Sequence, residues 1–267
     1  LRRMPAPATL VTGAAGFVGK WLLPVLLASG RRPIGLRRAG EPAGSPLVEW
    51  LEADLRDAGS LDAVVRRAQP AEVIHLAALA SPAQAARAPL EALHTNYLGA
   101  DHLVAALARW APRARLLHVS SGEVYGFQPR GAEPHTESAP LRPHSTYGAT
   151  RAAAEQRVAL AAERDGLDVV IARPFNHTGP GRSDLYAESS FAHQLAEIER
   201  RAVPPLLRVG NLETLRDFSD VRDVCDAYLL LLERGARGRV YNVASGQPRT
   251  LGSILDRLIA CSSARPE

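Results

Sequence analysis

The sequence predicts an α/β fold, a doubly wound parallel sheet followed by a smaller C-terminal lobe. Three observations predict it. Six short runs of apolar and β-branched residues, "ATLVT", "RPIGL", "VEWLEA", "AEVIHLAA", "RLLHVSS" and "LDVVIARP", alternate with Ala/Leu-rich stretches of helical spacing. Alternation at this interval builds right-handed strand–helix–strand units whose helices cover both faces of a parallel sheet. The runs are nearly continuous in apolar character, as strands buried on both faces must be. The first run also passes directly into a glycine-spaced turn, "TGAAGFVG".

The first strand ends at Thr12, and Gly13, Gly16 and Gly19 follow with G-x-x-G-x-x-G spacing before a helix opened by Phe17 and Val18. Small residues let the backbone approach a pyrophosphate, whose charge the helix N-terminal N–H groups meet. This makes the predicted sheet Rossmann-type, with these five residues as cofactor contacts. Pro24 falls inside the first helix, where it should cost stability or kink it. The second strand ends in "GLRRAG". A site for NAD commonly places a carboxylate here on the adenine ribose; Arg37 and Arg38 suit a ribose 2′-phosphate instead. NADP(H) is therefore the expected cofactor, with NAD(H) still possible. Asp54 and Leu55 close the third strand, where a carboxylate can accept the adenine amino group. "HLAALA" ends the fourth strand, and its small residues, with Leu76, Ala77 and Ala78 as contacts, leave room for a flat cofactor. Asn96, in the helix that follows, either braces the site or is an ordinary polar helix residue.

The fifth strand ends in "VSSGEVYG", which places Ser121 in the crevice outside the carboxyl ends of the strands. Further on, "STYGATR" opens a long helix in which Tyr147 and Arg151, four residues apart, project from one face. A tyrosine ionises near about pH 10, so acid–base work near neutrality needs an adjacent cation to stabilise phenolate. Ser121 would hydrogen-bond the reacting carbonyl or hydroxyl.

Beyond residue 173 the alternation loosens. "NHTGPGRSD" leads into a helix "SSFAHQLAEIERR", a short strand "LLRVG", and then "RDFSDVRDVCDAYLLLLERG". Residues 1–173 are expected to form the nucleotide-binding domain, with strand and helix returns around 215–245. Residues 174–267 mainly form the smaller lobe.

Bulk properties narrow the classes. The chain has 267 residues, 46% hydrophobic, enough for a sizeable core and against global disorder. Of 32 basic residues the only lysine is Lys20, and the net charge is +4. The arginines read mainly as a compositional bias spread over the surface, with some available to an anionic ligand. No basic stripe interleaved with aromatics points to nucleic acid. Cys225 and Cys261 show no metal-like spacing and suit a reducing compartment; no metal is expected. No apolar run approaches the roughly 20 residues of a membrane span. The start, "LRRMPAPATLVTG", lacks the long apolar region of a signal peptide. A cytoplasmic protein is expected.

These pieces together resemble the extended short-chain dehydrogenase/reductases of the NAD-dependent epimerase/dehydratase type. The resemblance spans nearly the whole chain and rests on "TGAAGFVG", "HLAALA", "SSGEVYG", "STYGATR" and "RPFNHTGPG". The later segments "SSFAHQLAEIERR", "LLRVGNLETLRDFSDVRDVCDAYLLLLERG" and "VYNVASGQP" are similar to the GDP-4-keto-6-deoxy-D-mannose reductases, which make GDP-D-rhamnose, and more loosely to the GDP-mannose 4,6-dehydratases. The resemblance implies that Ser121, Tyr147 and Arg151 stand on a catalytic Ser/Thr-Tyr-Lys triad, with arginine departing from the pattern. Glu123 matches a position that serves as base in the dehydratases, but reductases of the group carry Glu too. Phe175 lies where family members line the nicotinamide. Asn176, His177, Arg208, Asn211 and Arg216 fall to the sugar-nucleotide substrate. A GDP-linked deoxysugar substrate and a homodimer are implied, the latter paired through the Tyr147 helix and a long helix at about 89–110. The chain, ending "CSSARPE", is short for the group. A 6-deoxytalose-forming reductase, a 4,6-dehydratase and a 4-epimerase remain alternatives, as does a non-catalytic nucleotide-binding protein, because of Arg151.

Overall fold

The computed structural model describes residues 6–129 and 131–263. Leu1–Pro5, the start of the stretch read for a leader, and the end of "CSSARPE" lie outside the described residues. The chain divides into two units: residues up to Pro174 with Val224–Val243, and Phe175–Asp223 with Ala244 onward.

The first unit carries a seven-stranded sheet. Its strands are β1 (Ala8–Thr12), β2 (Arg32–Arg37), β3 (Glu49–Glu52), β4 (Glu72–His75), β5 (Arg115–Val119), β6 (Asp168–Pro174) and β9 (Val240–Val243). The spatial order is β3-β2-β1-β4-β5-β6-β9, and every pairing is parallel. The order reverses between β1 and β4, so the crevice outside the carboxyl ends of these two strands is the place where such sheets bind ligands. Helices α1 (Phe17–Ala28), α2 (Ala58–Ala68), α5 (Gly99–Trp110) and α6 (Thr146–Arg164) make the crossovers. Leu10, Ile34, Val73 and Leu116 from four adjacent strands meet Leu61, Leu103, Leu107 and Val158 from the helices in one buried core. Each such side chain is worth about 1.5–3 kcal/mol on removal from water.

Several boundaries differ from expectation. β3 ends at Glu52 and β4 at His75, so Asp54, Leu55 and the "LAALA" residues lie beyond the strands. There the chain leaves the ladder, and its backbone is held instead by Thr12, Asn96, Ser60 and His102. The long helix expected at 89–110 is interrupted. A short α4 (Pro89–Ala92) runs into a π-helical turn at Leu93–Leu98, and α5 follows. Pro24 sits within α1, which continues through it to Ala28.

The second unit holds a three-stranded sheet, β10-β8-β7, formed by β7 (Asn176–Thr178), β8 (Leu215–Asp220) and β10 (Pro248–Thr250). β7 and β8 are parallel, β8 and β10 antiparallel. Helices α7 (Ala187–Glu199) and α9 (Leu251–Cys261) pack through Leu195, Ile198, Leu258 and Ile259. The strand expected at "LLRVG" does not form: residues 206–210 are irregular. Pro204 and Pro205 precede it, and the Gln194 side chain takes the place of a ladder. Gln194 Oε1 accepts from Arg208 N (2.8 Å), and its Nε2 donates to Arg208 O (3.1 Å). The strand is β8, a few residues later. The return to the first unit spans Val224–Val243, carrying most of α8 (Val221–Arg234) and β9.

Candidate active site

The site in the first unit starts at the β1 turn. Gly13 has φ +69°, and a Cβ there would stand 2.9 Å from Ala77 N. Only glycine allows that conformation and that approach together. Thr12 Oγ1 accepts from Ala77 N (3.1 Å) and bonds His75 Nδ1 (2.7 Å), fastening the end of β1 to the segment after β4. The glycine turn and Leu76–Ala78 are thereby held side by side. Gly16 is the N-cap of α1 and brings no capping side chain, which suits a helix N-terminus that meets a phosphate.

Beyond the ends of β2 and β3 lies an open cavity of about 670 Å³, walled by Arg38, Glu41, Glu52, Asp54, Arg56 and Ser60 among others. The two arginines expected to act together have different surroundings. Arg37 stands opposite Glu52 across the β2–β3 ladder and pairs with it (2.5 Å), while its Nη1 donates to Glu41 O. Arg38 lines the cavity and holds the Glu41 carboxylate at 2.6 Å. The hydrogen bond from the Arg38 backbone N–H, and then the guanidinium, keep that carboxyl below its ordinary range. Asp54 is clasped by Arg56 (2.5 Å), whose hydrogen bonds likewise lower its titration.

The catalytic candidates converge where β5 ends against α6. Ser121 is 8% exposed and caps a single 3-10 turn (Gly122–Val124), its Oγ accepting from Glu123 N (3.2 Å). A Cβ on Gly148 would lie 2.7 Å from Glu123 O, so the absence of a side chain at 148 lets the first turn of α6 press against the Ser121–Glu123 segment. Ser145 Oγ accepts from Gly148 N (3.0 Å) and starts the helix there, which sets the position of Tyr147. Asn96 is wholly buried; its Oδ1 accepts from Leu79 N (2.7 Å) and its Nδ2 donates to Thr150 Oγ1 (3.0 Å). It braces α6 against the segment after β4.

Arg151 is 1% exposed, and its Nε and Nη1 have no hydrogen-bond partner among the described residues. A guanidinium is costly to bury unpaired. Its charge acts on its surroundings. His75 and His118, opposite each other on β4 and β5 with ring centroids 5.4 Å apart, are fully buried. Burial, then the charge of Arg151, pushes His75 down to about 3 and His118 well below its ordinary value. Both rings are neutral at pH 7 beneath the cation.

In the second unit, Asn176 and His177 lie on β7, paired to Phe218 and Ser219 of β8, while Arg216 near the start of β8 pairs across to Arg249 of β10. His177 Nδ1–H donates to Phe175 O (3.0 Å), and burial lowers the ring to about 4. Arg208 and Asn211 belong to the irregular segment before β8, where Asn211 Oδ1 accepts from Glu213 N (2.9 Å). Among the described residues no group of three or more His, Cys, Asp or Glu is placed to hold a metal ion, and no helix is long and apolar enough to cross a membrane.

The model of the NAD dependent epimerase/dehydratase family matches residues 9–244. The chain belongs to that family. Among its relatives, a GDP-6-deoxy-D-mannose reductase of Pseudomonas aeruginosa is 36% identical over 248 residues, covering 93% of this chain and 78% of the reductase. A UDP-glucose 4-epimerase of Mycolicibacterium smegmatis is 32% identical, covering 89% and 77%. In structure, RMD from Pseudomonas aeruginosa complexed with NADPH superposes with a TM-score of 0.87 at 34% identity, covering 98% of this chain and 83% of that one. The family is one of sugar-nucleotide oxidoreductases, and the seven-stranded parallel sheet is its fold.

Sequence reading missed Glu41, Arg56, Thr12 and the histidine pair. Glu41, three residues from Arg38, and Arg56, two residues from Asp54, had a visible local signal; Thr12 with His75 and His75 with His118 join distant segments and had none.

Proposed function

We propose that this chain is a reductase acting on the C4 ketone of a GDP-linked 4-keto-6-deoxyhexose, with NADP(H) as cofactor and NAD(H) as a weaker substitute. The observation supporting this most is the 36% identity to the GDP-6-deoxy-D-mannose reductase over 93% of a chain that keeps the Ser121–Tyr147 pair at the β5–α6 junction. The first unit fits a dinucleotide: the Gly13 turn has no room for a side chain, an arginine-walled cavity adjoins β2, and a buried guanidinium has unpaired donors. NADPH, when bound, would supply the hydride.

The remaining work falls to the chain. Tyr147 gives its phenolic proton to the C4 oxygen as negative charge develops there. Ser121 donates a hydrogen bond to the same oxygen, a contribution of about 2.7–4 kcal/mol for a well-placed donor of this kind. Arg151 supplies the neighbouring positive charge and directs its unpaired Nε and Nη1 donors to the nicotinamide ribose. Gly13, Gly16, Phe17, Val18 and Gly19 receive the pyrophosphate; Arg38, with Arg37 behind it, faces the adenosine. Asp54, Leu55 and Leu76–Ala78 line the cofactor, as does Phe175. Asn176, His177, Arg208, Asn211 and Arg216 of the second unit bind the sugar nucleotide. Glu123 assists proton transfer.

The test is an NADPH absorbance assay with the 4-keto product of a GDP-mannose 4,6-dehydratase. A stoichiometric fall supports the reductase, and product analysis separates the rhamnose from the talose epimer. Turnover of GDP-mannose or UDP-glucose without net NADPH loss would replace this reading with a dehydratase or an epimerase, a class to which the Mycolicibacterium relative belongs. A homodimer in the cytoplasm completes the proposal. Leu90 (71% exposed), Leu93 and Leu160 lie on α4, the π turn and α6 and present apolar surface to a second copy. Light scattering at micromolar concentration should give twice the chain mass; a monomer would count against it.

A further inference from the structure

The loop after β2 holds a carboxylate where the cofactor's phosphate is expected. Arg38 and Glu41 close a turn, with Glu41 N donating to Arg38 O (3.1 Å), and the Glu41 side chain folds back over the turn. Its Oε2 accepts from the Arg38 backbone N–H (2.9 Å); its Oε1 accepts from Arg38 Nε (2.8 Å) and pairs with Nη2 (2.6 Å). The edge of the guanidinium that carries Nε and Nη2 is the edge that grips a phosphate or carboxylate with two parallel N–H groups. Here it is engaged by the protein's own anion. Both residues line the cavity next to β2. Arg37 offers no substitute: its guanidinium is committed to Glu52 and to the Glu41 carbonyl, and it is not a wall of that cavity.

We infer that Glu41 is an internal occupant of the ribose 2′-phosphate site and sets how strongly the protein distinguishes NADPH from NADH. This rests on the NADP(H) reading of Arg38. A 2′-phosphate entering the cavity must displace Glu41 from Arg38 and then lie near its negative charge. NADH, with a hydroxyl in that place, leaves the pair intact. The arginine therefore returns less discrimination than an unpaired one would, and the loss is recovered by removing the charge at position 41 alone. The pair is solvent-exposed enough to be worth little on its own, so the turn survives that change.

Calorimetric titration of the ligand-free protein tests this with NADPH, NADH, adenosine 2′,5′-bisphosphate and 5′-AMP. Glu41→Gln should tighten NADPH and the bisphosphate by about fivefold, with NADH and 5′-AMP within about twofold of the parent. In an Arg38→Ala background the same substitution should leave only the relief of charge repulsion, a tightening of less than about twofold. An unchanged or weakened NADPH affinity in Glu41→Gln overturns the inference, the second result showing that Glu41 instead holds Arg38 ready for phosphate. Equal NADPH and NADH affinities in the parent would remove the proposed cofactor preference. A gain for NADPH in Glu41→Gln would still support the competition.

Discussion

Arg151 sits where the resemblance calls for lysine, on α6 one turn after Tyr147, and it is a cation buried with two donors unpaired. A guanidinium keeps the charge but is planar and wider than an ammonium, and its fork cannot place one compact donor between a tyrosine and two ribose hydroxyls. Arg151→Lys is expected to raise kcat/KM by roughly tenfold, about 1.4 kcal/mol of barrier. A slower Arg151→Lys enzyme would show that the neutral His75–His118 floor has adapted the site to arginine. Tyr147→Phe should abolish turnover and leave NADPH affinity within a few-fold. Arg151→Met should also be inactive yet more stable without ligand, by about 1–3 kcal/mol, because an apolar chain replaces a buried unpaired charge. Urea unfolding of the ligand-free variants measures this, and a less stable Arg151→Met would mean that Arg151 is held by interactions stronger than its burial implies.

Among the elements, α6 and β6 are joined by an ion pair that fixes the loop leading to Tyr147. Arg173 on β6 and Glu155 on α6 pair with side chains 5% and 3% exposed. Arg173 Nη1 also donates to Tyr125 OH (2.7 Å) and to Glu137 O (3.0 Å), and the Tyr125 ring stacks on His135 at 4.7 Å. Asn242 on β9 accepts from Tyr125 OH (2.6 Å) and donates to His135 O (2.9 Å). One guanidinium thus ties the 3-10 turn after β5, the following loop and two strands together. Removing the charge of one partner leaves the other uncompensated in the interior, so Glu155→Gln should lower stability by about 3–5 kcal/mol. A loss below 1 kcal/mol in chemical denaturation would show that water already reaches the pair.

For the whole molecule, two fully buried histidines and one half-buried one set an acid limit. His75, His118 and His177 have folded-state titrations below the ordinary value near 6.5, chiefly through burial. The unfolded chain then binds protons that the folded chain refuses, so stability rises with pH through this window and is lost as pH falls below about 6.5. Between pH 7 and pH 5 each neutral histidine should remove about 2 kcal/mol of stability. His118→Leu should flatten that slope by one histidine's share in unfolding curves at the two pH values. An unchanged slope would place the protonation elsewhere.

Much of this molecule was legible along the chain because its determinants are local. The apolar runs marked six of the sheet's seven strands; glycine spacing marked the turn after β1; the i, i+4 relation put Tyr147 and Arg151 on one helical face. The short strand of the second unit was misplaced at "LLRVG", because the Gln194 side chain takes the Arg208 backbone N–H and C=O that a ladder would need, which outweighs strand propensity in so short a segment. What only the tertiary structure decided are pairings between distant segments: Thr12 with His75, Asn96 with Thr150, Arg37 with Glu52, and His118 beneath Arg151. A residue type at one position does not say which of many partners it meets; the β1–β4 and β4–β5 registers do. The sequence by itself determined the sheet and the family, and it named the candidate catalytic side chains Ser121, Tyr147 and Arg151. Packing decided that Arg151 is buried without a hydrogen-bond partner among the described residues, and that Arg38 already holds the Glu41 carboxylate, because both depend on which groups the fold leaves within a few ångströms of each other.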